Sequence, residues 1–227
     1  MNAFIAENLA QVHAHIEAAC QAAGRPASSV QLLAVSKTWG PDAVRAAHTA
    51  GQTAFGENYI QEAVDKIDAL RDLPLVWHCI GPIQSNKTRL VAEHFDWVHS
   101  IDRFKIAQRL SEQRPDHLPP LQVCIQVNVD GGANKSGVSP QELPALAQAV
   151  AALPRLQLRG LMTIPEPAET EAQMRAVHRE AKDLFDSLRA RGLPLDTLSM
   201  GMSADMSAAI AEGSTMVRVG TAIFGQR

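Results

Sequence analysis

Several things are scarce in this chain, and each scarcity removes a class of protein. It has three cysteines, Cys20, Cys79 and Cys124, far apart and in no CxxC pair, so neither a disulfide framework nor a structural zinc site is expected. Aromatic residues make up 4% of the sequence, with a single tyrosine, Tyr59. No basic block is present and the formal charge is −3, which argues against a nucleic-acid footprint. No apolar run approaches the roughly 18 residues that a membrane helix needs. The N-terminal segment lacks a charged n-region and Glu7 breaks its apolar stretch, so no signal peptide is read there. A cytoplasmic protein with no membrane or nucleic-acid partner is the expectation. No strand is followed by a GxGxxG turn, which counts against an open dinucleotide-binding sheet, the runner-up fold.

What remains is 227 residues, 46% hydrophobic and 20% charged, enough for one large core. Residues 2–23 carry Phe4, Ile5, Leu9, Val12, Ile16 and Ala19 at helical spacing, stopped by Gly24 and Pro26. After that, short apolar runs alternate with amphipathic stretches. The runs are Leu32–Lys37, Ala54–Glu57, Leu75–Gly81, Trp97–Ile101, Leu121–Val129, Leu156–Thr163, Thr197–Met200 and Met216–Ile223. The stretches include Tyr59–Arg71, Asn86–His94, Phe104–Glu112, Gln141–Leu153 and Glu169–Arg191. Eight buried strands alternating with helices predict an α/β fold, a single (β/α)₈ TIM-type barrel over residues 1–227. The eighth helix has little sequence left to form it, and the extra N-terminal helix is expected to cover that gap.

Polar residues collect where strands end, which in such barrels is the site face. Lys37 closes the first run and should sit at the mouth, half desolvated. There it is either an activated amine nucleophile or a lysine reaching out to solvent. Asn58 follows the second run and His78 lies in the third; a strand-end histidine is either a ligand contact or a satisfied structural group. The seventh run continues through Met200, Gly201, Met202 and Ser203, and the eighth holds Arg218, Gly220 and Thr221. Small residues and hydroxyls after strands seven and eight suit a phosphate. Arg218 inside an apolar strand needs a partner, either a structural carboxylate or a bound cofactor. Lys135 reads as a loop lysine. No metal set is seen.

Ala34–Thr38 (AVSKT), Phe55–Glu62 (FGENYIQE), Trp77–Lys87 (WHCIGPIQSNK), the NKSG and GLMTI segments and Leu198–Gly225 resemble the YggS/PROSC family of pyridoxal 5′-phosphate (PLP) homeostasis proteins. The resemblance runs from about residue 30 onward, and extends more loosely to the N-terminal barrel of alanine racemase. It implies PLP fold type III without a C-terminal β domain. Lys37 would carry PLP as a Schiff base, Arg218 would face the pyridine nitrogen, and Asn58 and His78 would line the ring, with Met200 at its border. Gly220, Thr221, Ser203 and the Met202 backbone would hold the phosphate. An arginine beside the ring nitrogen disfavours its protonation and so weakens the electron sink. The implied protein is a PLP carrier or regulator with no efficient catalysis and no catalytic residues, with PLP-dependent apo-enzymes as partners. The alternative is an amino-acid racemase, which needs a base on each substrate face. The second base in alanine racemase comes from a domain for which this chain has no room, and a monomer is expected on the same ground. Two departures stand out: Trp39 occupies a position where the family often has a second lysine, and Gly132-Ala133 replace an acidic residue.

Overall fold

The computed structural model describes residues 2–132 and 136–226, so Lys135 lies outside the described residues. Eight parallel strands close into a barrel in sequence order. They are β1 (Gln31–Val35), β2 (Ala54–Glu57), β3 (Val76–Cys79), β4 (Trp97–Ile101), β5 (Leu121–Gln126), β6 (Leu156–Met162), β7 (Thr197–Ser199) and β8 (Met216–Val219). The helices are α1 (Asn2–Ala22), α2 (Pro41–Thr49), α3 (Ile60–Ala69), α4 (Thr88–His94), α5 (Phe104–Gln113), α6 (Leu143–Ala151), α7 (Glu171–Ala190), α8 (Met206–Ala211) and α9 (Thr221–Phe224). Every residue of β2, β7 and β8 is buried. Strands with side chains packed inward among themselves and outward against helices read as unbroken apolar runs, which is why the barrel is visible in the sequence.

The barrel closes where β1 meets β8, with Leu33 opposite Arg218 and Ala34 opposite Val219. The helix after β8 is a single turn, α9. As expected, α1 fills the gap: its buried stripe of Ile5, Leu9, Val12, Ile16, Ala19 and Cys20 follows helical periodicity, and it packs on α2, α8 and α9. Asn8 Nδ2 donates to the Ile223 carbonyl at 2.9 Å, and Arg25 Nη1 to the Ile210 carbonyl at 2.7 Å, tying it down at both ends.

Three boundaries differ from the sequence pattern in ways that matter for the site. β1 ends at Val35, so Lys37 lies in the following turn rather than in the strand. β5 stops at Gln126, and Val127 makes only an isolated bridge to Val138. β8 stops at Val219, because the backbone at Gly220 (φ −117°, ψ −74°) turns the chain into α9. Apolar periodicity continues through Ile223 in both conformations, so the pattern alone cannot locate the change. Helix α7 starts one residue inside the TEAQ segment, where Thr170 and Gln173 form a reciprocal capping box. Among the described residues no helix is long and apolar enough to cross a membrane, and no cluster of His, Cys, Asp or Glu could hold a metal ion.

Candidate functional site

A pocket of about 450 Å³ opens at the C-terminal ends of the strands, across the β1–β8 seam. Lys37, Asn58, Met202, Ser203, Arg218, Gly220 and Thr221 all line it. Seven residues singled out from sequence therefore share one cavity. Lys37 and Arg218 are the ionisable side chains among the described residues of its wall.

The Lys37 turn is held from below. Lys37 itself is exposed, not half desolvated as its strand-end position suggested, because the chain has left the barrel two residues earlier. The next residue, Thr38, has φ +70°, a region that a β-branched residue enters only at a cost of about 1–3 kcal/mol. Its amide donates to Glu62 Oε1 at 2.6 Å. On the other side, Ser36 is fully buried; its hydroxyl donates to Glu57 Oε1 at 2.9 Å and its carbonyl accepts from Lys66 Nζ at 2.9 Å. Lys66 also pairs with Glu57 and, at 3.2 Å, with Glu62 one helical turn earlier. Burial raises the Glu57 carboxyl above its ordinary value, and the adjacent Lys66 ammonium opposes that rise. Sequence reading missed this cluster. Its signal was a glutamate ending a wholly buried strand and a lysine on the apolar face of α3.

Arg218 is 3% exposed. No carboxylate among the described residues is in hydrogen-bond contact with it. Instead Nη2 donates to the Thr163 carbonyl at 2.7 Å and Nη1 to Ser199 Oγ at 2.8 Å. Burial pulls the guanidinium down to about 10, with the field of Asp205 acting the other way. Because Arg218 only donates, the Ser199 proton is left for His99 Nδ1 at 2.9 Å, and His99 Nε2 then donates to His78 Nδ1 at 2.9 Å. His78 ends this chain inside the barrel, stacked on Trp97 at a centroid distance of 5.2 Å. Its Nε2 has no partner among the described residues.

Two expected pocket residues are thus elsewhere. His78 points into the barrel interior from β3 and is 1% exposed, so it does not line the pocket. Met200 is fully buried in the main hydrophobic core behind the β7 end. The reasons differ: His78 faces inward like Arg218 but lies deeper in the barrel, at the far end of the Ser199–His99 chain, whereas Met200 follows the inward-facing Ser199 and so turns outward into the core. Trp39 stacks on Phe224 at 6.0 Å, joining the β1–α2 turn to α9. Tyr59 is 54% exposed and also lies outside the pocket wall.

Glycine geometry shapes the remaining wall. A Cβ on Gly81 would fall 2.3 Å from the Asn58 carbonyl oxygen, so only glycine there lets Asn58 sit where it does. Asn58 Oδ1 is buried without a hydrogen-bond partner among the described residues. A Cβ on Gly220 would come 3.2 Å from the Val35 carbonyl oxygen, so the β8 end can lie close against β1. The Met202 amide donates to Asp205 Oδ1 at 2.7 Å, and His178 Nε2 contacts Oδ2 at 2.8 Å, which fixes the β7–α8 loop. Burial raises the Asp205 carboxyl, but these bonds outweigh it and hold it below its usual value.

The two interior histidines give the fold a pH dependence. Burial lowers His78 to about 3; burial, with the nearby His78 and Arg218, takes His99 well below 6.5. A histidine depressed in the folded state contributes stability that is complete above about 6.5 and is lost as pH falls below it. Each such ring is worth about 1.4 kcal/mol per pH unit. Urea melts are therefore expected to show stability falling by several kcal/mol between pH 7 and pH 5. Glu57 and Asp96, raised by burial, act in the opposite sense. A flat profile, with either ring titrating near 6.5 by NMR, would refute the neutral chain.

A closed barrel with an amine in the turn after β1 and a buried arginine on β8, sharing one pocket with the loops after β7 and β8, defines a class. The family model described as "Alanine racemase, N-terminal domain" matches residues 8–227. Within that class, the chain belongs to the pyridoxal phosphate homeostasis protein family. It is 63% identical over 223 residues to the pyridoxal phosphate homeostasis protein of Pseudomonas aeruginosa, covering 98% of this chain and 96% of that one. Identity to the Escherichia coli K12 protein of the same name is 56% over 226 residues, with 98% and 97% covered. Among solved structures, PipY of Synechococcus elongatus with PLP bound superposes with a TM-score of 0.86 at 41% identity, covering 97% of this chain and all of that one. Alanine racemase of Corynebacterium glutamicum matches with a TM-score of 0.69 at 21% identity over 61% of its length, a likeness of fold alone. The resemblance read from the motifs thus agrees with the family.

Proposed function

We propose that this chain is a PLP-holding homeostasis protein whose cofactor is tethered covalently at Lys37. The observation that carries this reading is one pocket wall shared by the Lys37 amine, the buried Arg218 guanidinium and the loops at residues 202–203 and 220–221. PLP supplies an aldehyde that condenses reversibly with a primary amine. Lys37 is the primary amine of the described wall. Ser203 and Thr221 bring hydroxyls, and the amides of Thr221 and Ala222 precede the first amide of α9 with an acceptor inside the turn, so an anion can take their protons. The Asn58 carboxamide lines the same wall and would border the ring of a bound PLP. Arg218 holds positive charge at the back of the pocket, where it disfavours protonation of a ring nitrogen placed against it.

The same residues argue against racemase chemistry. Racemisation needs two bases, and the described wall offers one amine and one guanidinium that does not act as a base. We read residues 1–227 as one domain, monomeric and cytoplasmic, with PLP-dependent apo-enzymes as recipients. Relatives matched over 96–97% of their own length support the first point.

Purified protein mixed with PLP is expected to turn yellow, and borohydride followed by peptide mass analysis should place the added mass on Lys37. Colourless protein that ignores PLP would overturn the proposal. Incubation with L-alanine should produce no sustained D-enantiomer; turnover would restore the racemase.

A further inference from the structure

We propose that Glu62, backed by the buried Glu57–Lys66 pair, is a positioning residue for Lys37: it clamps the strained turn that aims the amine at the pocket. The inference rests on Lys37 being the tether, and goes beyond it to ask what makes an exposed lysine point the right way.

The cluster grips the backbone on both sides of Lys37. Before it, Ser36 is held through its carbonyl by Lys66 and through its hydroxyl by Glu57. After it, the Thr38 amide is held by Glu62. Lys66 joins the two halves by contacting both carboxylates. The residues come from two elements whose geometry makes this grip possible: Glu57 ends β2, and Glu62 and Lys66 stand one turn apart on the same face of α3.

Stability alone is a poor reason for this arrangement. Glu57 and Lys66 are 0% and 3% exposed, and apolar residues of similar volume commonly do as well or better in such places. Glu57 Oε2 is left without a partner among the described residues, so the pair is not even optimised. What the cluster does secure is Thr38 at φ +70°, where a β-branched residue does not stay unless its surroundings hold it. If Thr38 relaxed to negative φ, the peptide carrying Lys37 would rotate and its side chain would leave the wall shared with Arg218 and Gly220. Glu62, partly exposed, is the member that can be removed without burying a lone charge.

The test uses the full chain with Glu62→Ala, Glu62→Gln and Glu62→Ala combined with Thr38→Gly. Hydrogen exchange at the Thr38 amide is measured without PLP; covalent loading is followed by absorbance after PLP is added. Glu62→Ala should speed Thr38 exchange and slow loading, each by about tenfold, the scale of one hydrogen bond to a charged acceptor. Melting temperature should stay within about 3 °C of the parent, a change on the order of 1 kcal/mol. Glu62→Gln, which keeps an acceptor, should retain most of both properties. Thr38→Gly should restore loading in the alanine background, because glycine adopts this φ unaided. Loading at the parental rate in Glu62→Ala, or no rescue by glycine, would overturn the proposal. Should the parent itself fail to load at Lys37, the tether reading falls, and unchanged Thr38 exchange in Glu62→Ala would then dismiss the clamp separately.

Discussion

Lys37→Ala is expected to give a folded barrel that carries no covalently held PLP. The side chain is exposed and makes no hydrogen bond to the described residues, so its loss removes no packing and leaves no buried group unpaired. Substitutions of that kind stay within about 0.5 kcal/mol, and the melting temperature should move by no more than about 2 °C. Binding by Arg218, Ser203 and Thr221 survives, so PLP should still associate, but dialysis should remove it completely. Borohydride treatment followed by mass analysis checks this directly. Stoichiometric labelling of another lysine in the variant would show that the tether had been misplaced.

Arg218→Glu is expected to have a large effect on both fold and cofactor. In the parent, the guanidinium saturates the Thr163 carbonyl and sets the proton direction through Ser199 to His99 and His78. A carboxylate there faces the Thr163 carbonyl oxygen with no proton to give. It also favours a charged His99, which donates to Ser199 Oγ and turns that hydroxyl towards position 218, reversing the direction of the chain at Ser199 and burying a second charge. Leaving buried polar groups and a buried charge uncompensated costs about 3–5 kcal/mol, which for a chain of this size lowers the melting temperature by roughly 6–20 °C. The bound chromophore should shift as well, since a ring nitrogen beside a carboxylate is readily protonated. Arg218→Met separates the two effects: it removes the charge without adding an acidic group, so the absorption should change less than with glutamate. Identical spectra for parent and glutamate variant would place Arg218 away from the ring.

The barrel was legible because its strands read as short, largely apolar runs set between amphipathic stretches, and the closing role of α1 followed from its Ile5-Leu9-Val12-Ile16 stripe together with the single-turn helix after β8. Lys37, Arg218 and the loops after β7 and β8 were legible for a similar reason: each is a polar interruption at the end of an apolar run. His78 and Met200 fall outside the pocket wall because strand-end position says which end of the barrel a residue occupies, but neither how deep its side chain lies, as for His78, nor which side of the wall it faces, as for Met200. The Glu57–Lys66–Glu62 cluster stayed hidden because its members belong to different elements, and only the turn of α3 above β2 brings them together. Periodicity marks Lys66 as facing inward without saying that two carboxylates await it.

The β1–β8 seam also has a consequence for how the protein is made. Lys37 and Arg218 face one pocket but are separated by 180 positions of chain, so the tether emerges from the ribosome long before its counterpart. No partial chain can present the finished site, and closing so long a loop is the slow, late event in assembly. The pocket wall that Lys37 shares with Arg218 is therefore complete only once the last strand is seated. A circular permutant that joins the natural termini and opens between β4 and β5 would make the seam local, and should acquire PLP-binding competence earlier in refolding than the parent does.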